Sequence, residues 1–177
     1  MTSIDLQPTL VGSRINLRPI HAGDLEALYA AASDPRIWEM HPDAQRYKRE
    51  VFQPRFFAGA LASGGALVVE EKDSGRVIGS SRYYEWDAKT AEISIGYTFI
   101  ERQYWGVGTN TEMKALMLNH ISQWVTVVWF HVGKDNIRSR RAVEKLGATL
   151  SHEEDRELDG KPFTQLYYKL ELAPHGV

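Results

Sequence analysis

A glycine-rich stretch, Gln103–Gly108, has the residue types and the position needed to bind a phosphate group. It lies between a predicted strand that ends near Ile100 and a predicted helix that begins near Gly108, so its backbone N–H groups lie at the positive end of a helix dipole. Two common phosphate motifs are excluded. The dinucleotide fingerprint needs a third glycine where Thr111 stands, and the Gly-Lys-Ser/Thr of a P-loop is missing. The sequence therefore predicts a pyrophosphate-binding turn of another kind.

The strand before this turn, predicted over residues 91–100, alternates between two kinds of side chain. One face carries Ile93, Ile95, Tyr97 and Phe99, and the other carries Glu92, Ser94, Gly96 and Thr98. The second face is small and polar, which is typical of a surface that receives a ligand. Glu92 on that face is the first candidate for a general base, and a solvated charge at a strand end is the alternative.

The hydrophobic periodicity predicts α+β architecture with one strand-helix-strand crossover at its centre. A strand within residues 10–19 precedes helices at 24–32 and 44–62, and Pro54 predicts a kink or a late start in the second. Next come strands at 66–71, 77–86 and 91–100, a helix at 108–121, a strand buried on both faces at 125–132, a helix at 135–146, and strands at 150–158 and 163–170. Gly147 predicts a left-handed helix cap, and Asp159-Gly160 predicts a tight hairpin turn.

The composition limits the class of protein. The 177 residues, 43% hydrophobic and 25% charged, predict one domain over residues 1–177. A net charge of -2 gives no positive field for nucleic acid and slightly favours a cationic substrate. The absence of cysteine excludes disulfides, thiolate metal sites and a cysteine nucleophile.

Localisation and metal content follow from what the sequence lacks. No signal-like start and no bilayer-length apolar run is seen, so we expect a cytoplasmic protein with no membrane partner. The six histidines are scattered without ligand spacing, so we expect no metal.

The motif Gln103-x-x-Gly106-x-Gly108 resembles the Q/R-x-x-G-x-G/A signature of the GNAT superfamily of N-acetyltransferases, which bind acetyl-coenzyme A (acetyl-CoA) at this turn. With the sequences 136–139 and 144–148 at matching distances, the chain is similar to the RimJ/RimL-type branch, the ribosomal-protein N-terminal acetyltransferases. The resemblance covers about residues 10–170 in element order, and its specific motifs lie between residues 92 and 148. It implies a GNAT-like fold: a mixed, mostly antiparallel sheet that splays near its middle and is flanked by helices.

The resemblance also implies which residues hold acetyl-CoA. The pyrophosphate would bind to the backbone N–H groups of Val107, Gly108, Thr109 and Asn110, close to the Gln103 side chain. Gly106 and Gly108 would leave room for the phosphates. The pantetheine arm would pair like an added strand along Tyr97, Thr98, Phe99 and Ile100, in a cleft between that strand and the one starting near Val125. Asn136 would contact the same arm, with a helix N-cap as its plain alternative.

The implied reaction is acetyl transfer to a primary amine, either a protein N terminus or a small amine. Ser139 would lie near the thioester sulfur and donate a proton to the leaving thiolate, while Glu92 would take the proton from the amine; Glu154 and Glu157 are weaker candidates. Without cysteine no acyl-cysteine can form, so we expect direct attack in a ternary complex. The alternative is a non-catalytic acyl-CoA-binding module.

The acceptor pocket is the least motif-like part of the sequence. Trp38, His41, Tyr83 and Tyr84 could line an aromatic pocket, although about half of such residues are expected to be core. Arg138 and its neighbours Arg140 and Arg141 could reach a coenzyme A phosphate or form a charged helix surface. The hairpin at 150–170 could also join two copies in a homodimer.

Overall fold

One eight-stranded sheet forms the middle layer of the protein in the computed structural model, which describes residues 3–173. The strands are β1 (Leu10–Val11), β2 (Ile15–Pro19), β3 (Ala66–Glu71), β4 (Val77–Asp87), β5 (Glu92–Ile100), β6 (Val127–Gly133), β7 (Thr149–Leu158) and β8 (Lys161–Glu171). The helices are α1 (Leu25–Ala32), α2 (Pro35–Trp38), α3 (Arg49–Phe52), α4 (Ala58–Ser63), α5 (Thr109–Ile121) and α6 (Ile137–Lys145). The strand order is β1-β2-β3-β4-β5-β6-β8-β7.

The sheet splays between β5 and β6, which are its only parallel neighbours among residues 3–173. These strands pair over just three positions, the last of which joins Ser94 to Trp129. Beyond it β5 stays paired with β4, while β6 stays paired with β8. We call the opening between residues 96–100 of β5 and 131–133 of β6 the fork. This confirms the predicted mixed sheet that parts after its central strand.

A bulge in β5 lies beside the fork. Gly96 pairs with Arg82 and Phe99 with Ser80, so β5 advances three residues while β4 advances two. Tyr97, inside the bulge, has a positive φ of 50°. An extra residue reverses which face each later side chain occupies.

The prediction that Ile93, Ile95, Tyr97 and Phe99 share one face is therefore wrong. The first two belong to the core that packs under α5, whereas Phe99 belongs to the core formed with α1–α4. Tyr97 contacts Phe56 on that second side. The two cores explain why the sheet has helices on both faces: α5 and α6 cover one, and α1–α4 cover the other.

Most other predicted elements lie within a few residues of their observed bounds, and three differ in kind. The single strand predicted within residues 10–19 is two short antiparallel strands, β1 and β2. The helix predicted over 44–62 begins only at Arg49, and the turn Gln53–Phe57 that contains Pro54 is a π-helical segment rather than a simple kink. Strand β6 alternates between buried and half-buried side chains instead of being buried on both faces. The Asp159-Gly160 turn is confirmed, with φ values of 52° and 76° at its two residues.

Candidate active site

The glycine-rich turn presents unpaired backbone donors at the start of α5. Gly106 and Gly108 have φ values of 72° and 87°, conformations that side chains disfavour. The first N–H of this region to bond within the helix is that of Glu112, which donates to the Gly108 carbonyl (3.0 Å). The N–H groups of residues 109–111 precede it and, as in any helix start, have no acceptor one turn back. A Cβ added at Gly106 would meet no atom within 4 Å, so the turn has open space in front of it.

The loop between β1 and β2 supports this turn from behind. Glu112 Oε1 accepts hydrogen bonds from the N–H groups of Ser13 (2.6 Å) and Arg14 (2.9 Å). Arg14 Nη1 donates to the carbonyl of Val107 (2.7 Å), which places an exposed guanidinium beside Gly108. Burial alone would raise the pKa of Glu112, but the hydrogen bonds from Arg14 and Ser13 hold it below its ordinary value. No sequence pattern points to Arg14, because almost a hundred residues separate it from the turn.

Asn136 and Ser139 lie at the carboxyl end of β6, at the other side of the fork. The buried Asn136 is the N-cap of α6, and its Oδ1 accepts from the N–H of Ser139 (3.3 Å). The cap was the plain alternative for Asn136, and the structure contains it. The glycine-rich turn follows β5, and α6 follows β6. Because these two strands are parallel, both features lie at the same edge of the sheet. Ligands bind at this edge in open α/β sheets.

Arg138 closes one rim of this edge. Its guanidinium lies 3.8 Å from the centre of the Trp105 ring, and Nη2 donates to the Ile37 carbonyl (2.8 Å). Burial lowers its pKa, and the nearby Glu39 opposes that effect. Arg138 thereby links α6, the glycine-rich turn and α2. Arg140 instead bonds to Tyr168 and the Lys134 carbonyl, away from the turn.

A polar cluster lies where the fork begins. His131 follows Trp129 by two residues, so it is the first residue on this face of β6 beyond the paired region. Its Nε2 lies 3.4 Å from Ser94 Oγ and 3.7 Å from Glu85 Oε2. The ring packs against Tyr84 and Tyr167. Burial lowers the pKa of His131, while Glu85 pulls it upward. Sequence reasoning missed His131, because an isolated histidine carries no spacing signal.

Glu92 lies at the closed end of the β5–β6 pair. It pairs with Val127, and its Oε2 accepts a hydrogen bond from Trp129 Nε1 (2.8 Å). Four residues of extended strand, about 13 Å, separate it from Gly96 in the bulge. The structure thus brings the polar groups of Ser94 and His131 closer to the fork than the carboxylate of Glu92.

Two of the four predicted acceptor residues belong to the cores instead. Tyr83 is fully buried under α5, and its hydroxyl donates to the Met117 carbonyl (2.7 Å). Trp38 is buried with its Nε1 donating to the Ala32 carbonyl (2.8 Å). Both rings pack in the cores, and a substrate role for either stays a prediction. Tyr84 does lie at the fork, with its ring over Gly96.

His41, the fourth of these residues, is half-buried against Trp38, and its Nδ1 accepts from the N–H of Asp43 (2.9 Å). Burial lowers the pKa of His41 to about 3. Its imidazole is therefore neutral and already engaged in holding the loop between α2 and α3.

The pantetheine-arm residues and Gln103 also have definite places. Phe99 and Ile100 are buried, and the exposed Gln103 donates to Glu101 (2.8 Å). Thr98 Oγ1 accepts from Lys114 Nζ (2.8 Å) and lies 2.8 Å from Ser81 Oγ, so the bulge is braced from beneath. Burial lowers the pKa of Lys114 to about 7.

Between residues 3 and 173 no helix has both the length and the apolar character to cross a membrane. In the same range no group of three or more His, Asp or Glu side chains is arranged to hold a metal ion.

Comparison with known proteins identifies the family. The model of the acetyltransferase (GNAT) domain matches residues 14–149, so the chain belongs to the GNAT acetyltransferase family. It is accordingly an acetyltransferase of a family that uses acetyl-CoA. No curated protein sequence matches closely enough to identify a relative.

Solved structures agree on the fold. A GCN5-related N-acetyltransferase from Brucella melitensis superposes with a TM-score of 0.82 at 19% identity, covering 93% of this chain and 79% of the other. A GNAT-family acetyltransferase from Bacillus anthracis gives a TM-score of 0.70 at 15% identity, covering 93% and 98%. RimL, the ribosomal L7/L12 alpha-N-protein acetyltransferase solved with coenzyme A, gives 0.73 at 13% identity, covering 93% and 98%. The predicted GNAT-like fold is confirmed.

Proposed function

We propose that this acetyltransferase transfers the acetyl group of acetyl-CoA directly to a primary amine in a ternary complex. The observation that carries the proposal is the meeting of three features at one edge of the sheet: unpaired N–H groups at the start of α5, the fork beside the β5 bulge, and Asn136 with Ser139 at the start of α6. The amine belongs either to a small molecule or to a protein N terminus, the acceptor named for RimL.

The pyrophosphate would be held by the N–H groups of residues 107–110. Gly106 and Gly108 fit this role because the space before Gly106 is open and both residues have positive φ values that side chains disfavour. Gln103 and the Thr109 hydroxyl flank the turn. The exposed Arg14 guanidinium adds positive charge at the same place.

The pantetheine arm would lie in the fork along residues 97–100 of β5. In the fork this edge of β5 no longer pairs with β6, so its backbone groups can bond to an amide-containing chain as a neighbouring strand would. Asn136 would contact the arm from the other side of the fork.

Acetyl-CoA supplies a thioester, whose carbonyl carbon is attacked by the neutral amine. The C–N bond forms, the C–S bond breaks, one proton leaves the amine, and one proton reaches the thiolate. A backbone N–H near Tyr97 or Thr98 would stabilise the carbonyl oxygen. Ser139 would donate the proton to the thiolate.

Two groups can serve as the base. Glu92 remains a candidate acting through water, given its distance from the bulge. His131 is the second candidate, because it lies at the start of the fork and burial keeps it neutral and able to accept a proton at pH 7. We place His131 first on this geometry.

The test has two stages. Thermal unfolding is followed with acetyl-CoA, with NAD and ATP as controls; a ligand at a hundredfold excess over its Kd should stabilise the protein by about 2.7 kcal/mol. Release of coenzyme A is then measured with a panel of amines. Stabilisation without turnover would favour the acyl-CoA-binding module, and no stabilisation would refute both functions.

Cytoplasmic location and a homodimer through the β7–β8 hairpin remain predictions. Fractionation of cells tests the first. Light scattering of the purified protein tests the second, and a monomer would refute it without affecting the proposed reaction.

A further inference from the structure

Two arginines pack beside the fork on the side of α1–α4. Arg82 on β4 is 6% exposed, and its guanidinium lies 3.8 Å from the centre of the Tyr97 ring. Arg46, in the loop between α2 and α3, lies 5.9 Å from the same ring centre. Both guanidiniums also contact Phe56. Two guanidiniums therefore lie against the ring of the bulge residue Tyr97. The thioester end of acetyl-CoA would lie at this place.

Arg82 has no carboxylate partner within the described residues. Its one hydrogen bond goes from Nη2 to the Phe56 carbonyl (3.3 Å), and its buried Nε donates to nothing. Burial lowers the pKa of Arg82, and the neighbouring Arg46 lowers it further. A buried, unpaired charge of this kind is costly and is retained mainly at functional sites.

The Asp43 carboxylate is shared between two other arginines. Asp43 bonds to Arg46 (3.2 Å) and also lies 3.6 Å from Arg55, whose main partner is Asp159 (2.6 Å). Arg46 and Arg55 thus take up both of these carboxylates, and Arg82, the neighbour of Arg46, pairs with neither. The unpaired positive charge of Arg82 is local and favours an anionic group on the substrate. The net charge of the chain, -2, instead favours a cationic substrate.

The start of the fork, around His131, is acidic. Glu85 lies beside His131, and Glu154 accepts a hydrogen bond from Tyr167, whose ring packs on His131. Tyr84 lies between the two regions, 5.3 Å from the Tyr97 ring and 5.5 Å from the His131 ring. The fork is therefore dipolar: the guanidiniums lie on the Tyr97 side, the carboxylates lie on the His131 side, and the Tyr97 and Tyr84 rings lie between them.

We propose that the amine acceptor carries a carboxylate beside its amino group, as an α-amino acid does, and that Arg82 binds this carboxylate with Arg46 while the amine faces Glu85 and His131. This inference rests on the proposed function. The phosphates of acetyl-CoA cannot supply the anion, because their binding turn follows β5 and lies beyond Ile100 at the other end of the arm. Tyr97, 39% exposed, covers Arg82, so its ring must turn aside when the carboxylate binds.

The test compares acids with their amides as acceptors. Coenzyme A release is measured for each L-amino acid and for its carboxamide, and kcat/KM is expressed as the ratio of acid to amide. We expect a ratio of roughly tenfold or more in favour of at least one acid, the size of effect typical of a buried charge pair. A peptide pair starting Ala-Asp or Ala-Asn is run alongside, and a preference seen only in the peptides would refute the amino acid class.

Variants of Arg82 test whether this residue causes the preference for acids over amides. In Arg82→Gln the ratio should fall towards one, and Arg82→Lys should restore part of it. Arg49→Gln is the matched control, since Arg49 pairs with Glu26 and stacks on Tyr29 away from the fork; its ratio should equal that of the wild type. Should Arg82→Gln fail to fold, the wild type is tested for competitive inhibition against the acceptor by 3-phenylpropanoate, which should exceed inhibition by 3-phenylpropanamide.

The outcomes separate this inference from the proposed function. Turnover of acids and amides at equal rates, or faster turnover of amides, overturns the carboxylate site and leaves acetyl transfer to amines intact. An unchanged ratio in a folded Arg82→Gln variant also overturns it. An absence of turnover with every acceptor overturns the proposed function and this inference with it.

Discussion

Ser94 Oγ on β5 lies 3.4 Å from His131 Nε2 on β6 at the point where these parallel strands stop pairing. The separation of the strands beyond this contact creates the fork, and the contact fixes a neutral imidazole at its closed end. Position, not sequence spacing, is what makes His131 a candidate base: it is the first residue on that face of β6 that a bound acetyl group could approach.

Replacement of His131 by Gln should lower kcat by about a hundredfold, the usual contribution of a general base. Because burial lowers the pKa of His131 below its ordinary value, the wild-type imidazole stays neutral, and active, to a lower pH than a free histidine. The acid limb of kcat/KM should therefore lie below pH 6.5, measured with an acceptor whose own amine is neutral there.

His120→Gln provides the control, since His120 lies near Tyr83 and bonds to the Asp5 carbonyl, far from the fork. Its pH profile should match that of the wild type. An acid limb that persists in His131→Gln and disappears in Glu92→Gln would return the role to Glu92.

The glycine-rich turn can be tested with two matched substitutions. Gly106 and Gly160 both have positive φ, 72° and 76°, and neither has an atom within 4 Å of an added Cβ. Gly106→Val and Gly160→Val should therefore lose similar stability, about 1 to 2 kcal/mol each. Only Gly106→Val should weaken acetyl-CoA binding, by tenfold or more, as followed by calorimetric titration. Equal affinities in the two variants would show that Gly106 has only a structural role.

How much of this site the sequence predicts depends on whether a residue acts locally. The turn 103–108 and the Asn136–Ser139 pair are predictable, because helix starts and glycine turns leave local signals. The bulge at Tyr97 is not predictable, since it adds one residue without breaking the apolar pattern. This extra residue moves the Phe99 side chain to the opposite face of the sheet. Arg14, Arg82 and His131 are missed for another reason: each gains its role from residues far away in the chain.

Substitutions of Ser139 and Asn136 should distinguish a catalytic role from a structural role. Ser139→Ala should lower kcat by at least tenfold. It should leave the KM for acetyl-CoA nearly unchanged, because the backbone N–H of residue 139 still donates to Asn136 Oδ1. Asn136→Ala should lose about 1 kcal/mol from the missing N-cap and raise that KM, whereas Asn136→Asp retains the cap. Steady-state kinetics with urea unfolding measures both effects. A normal kcat in Ser139→Ala would exclude it as the proton donor.

The tyrosines on β4 distinguish a core role from a groove role. Tyr83→Phe removes a buried hydrogen bond to Met117, so it should cost about 1 kcal/mol of stability with no change in the acceptor KM. Tyr84→Phe should do the reverse, since the hydroxyl that it removes lies beside Gly96 at the fork. Chemical unfolding and acceptor kinetics are compared for both variants. A raised acceptor KM in Tyr83→Phe would contradict its assignment to the core.

Lys114 should make the stability of the protein depend on pH. Burial lowers its pKa to about 7, whereas in the unfolded chain it is about 10.4. Between these values the unfolded state holds a proton that the folded state lacks, so the free energy of unfolding should rise with pH, by up to about 1.4 kcal/mol per unit. Below pH 7 both states are protonated and the penalty is constant.

Lys114→Met should remove this slope and be the more stable protein at pH 7, because Ser81 and Thr98 still bond to each other (2.8 Å). Urea unfolding at pH 7, 8 and 9 measures the difference, with the exposed Lys89→Met as control. Parallel profiles for wild type and Lys114→Met would mean that Lys114 is charged in the folded protein.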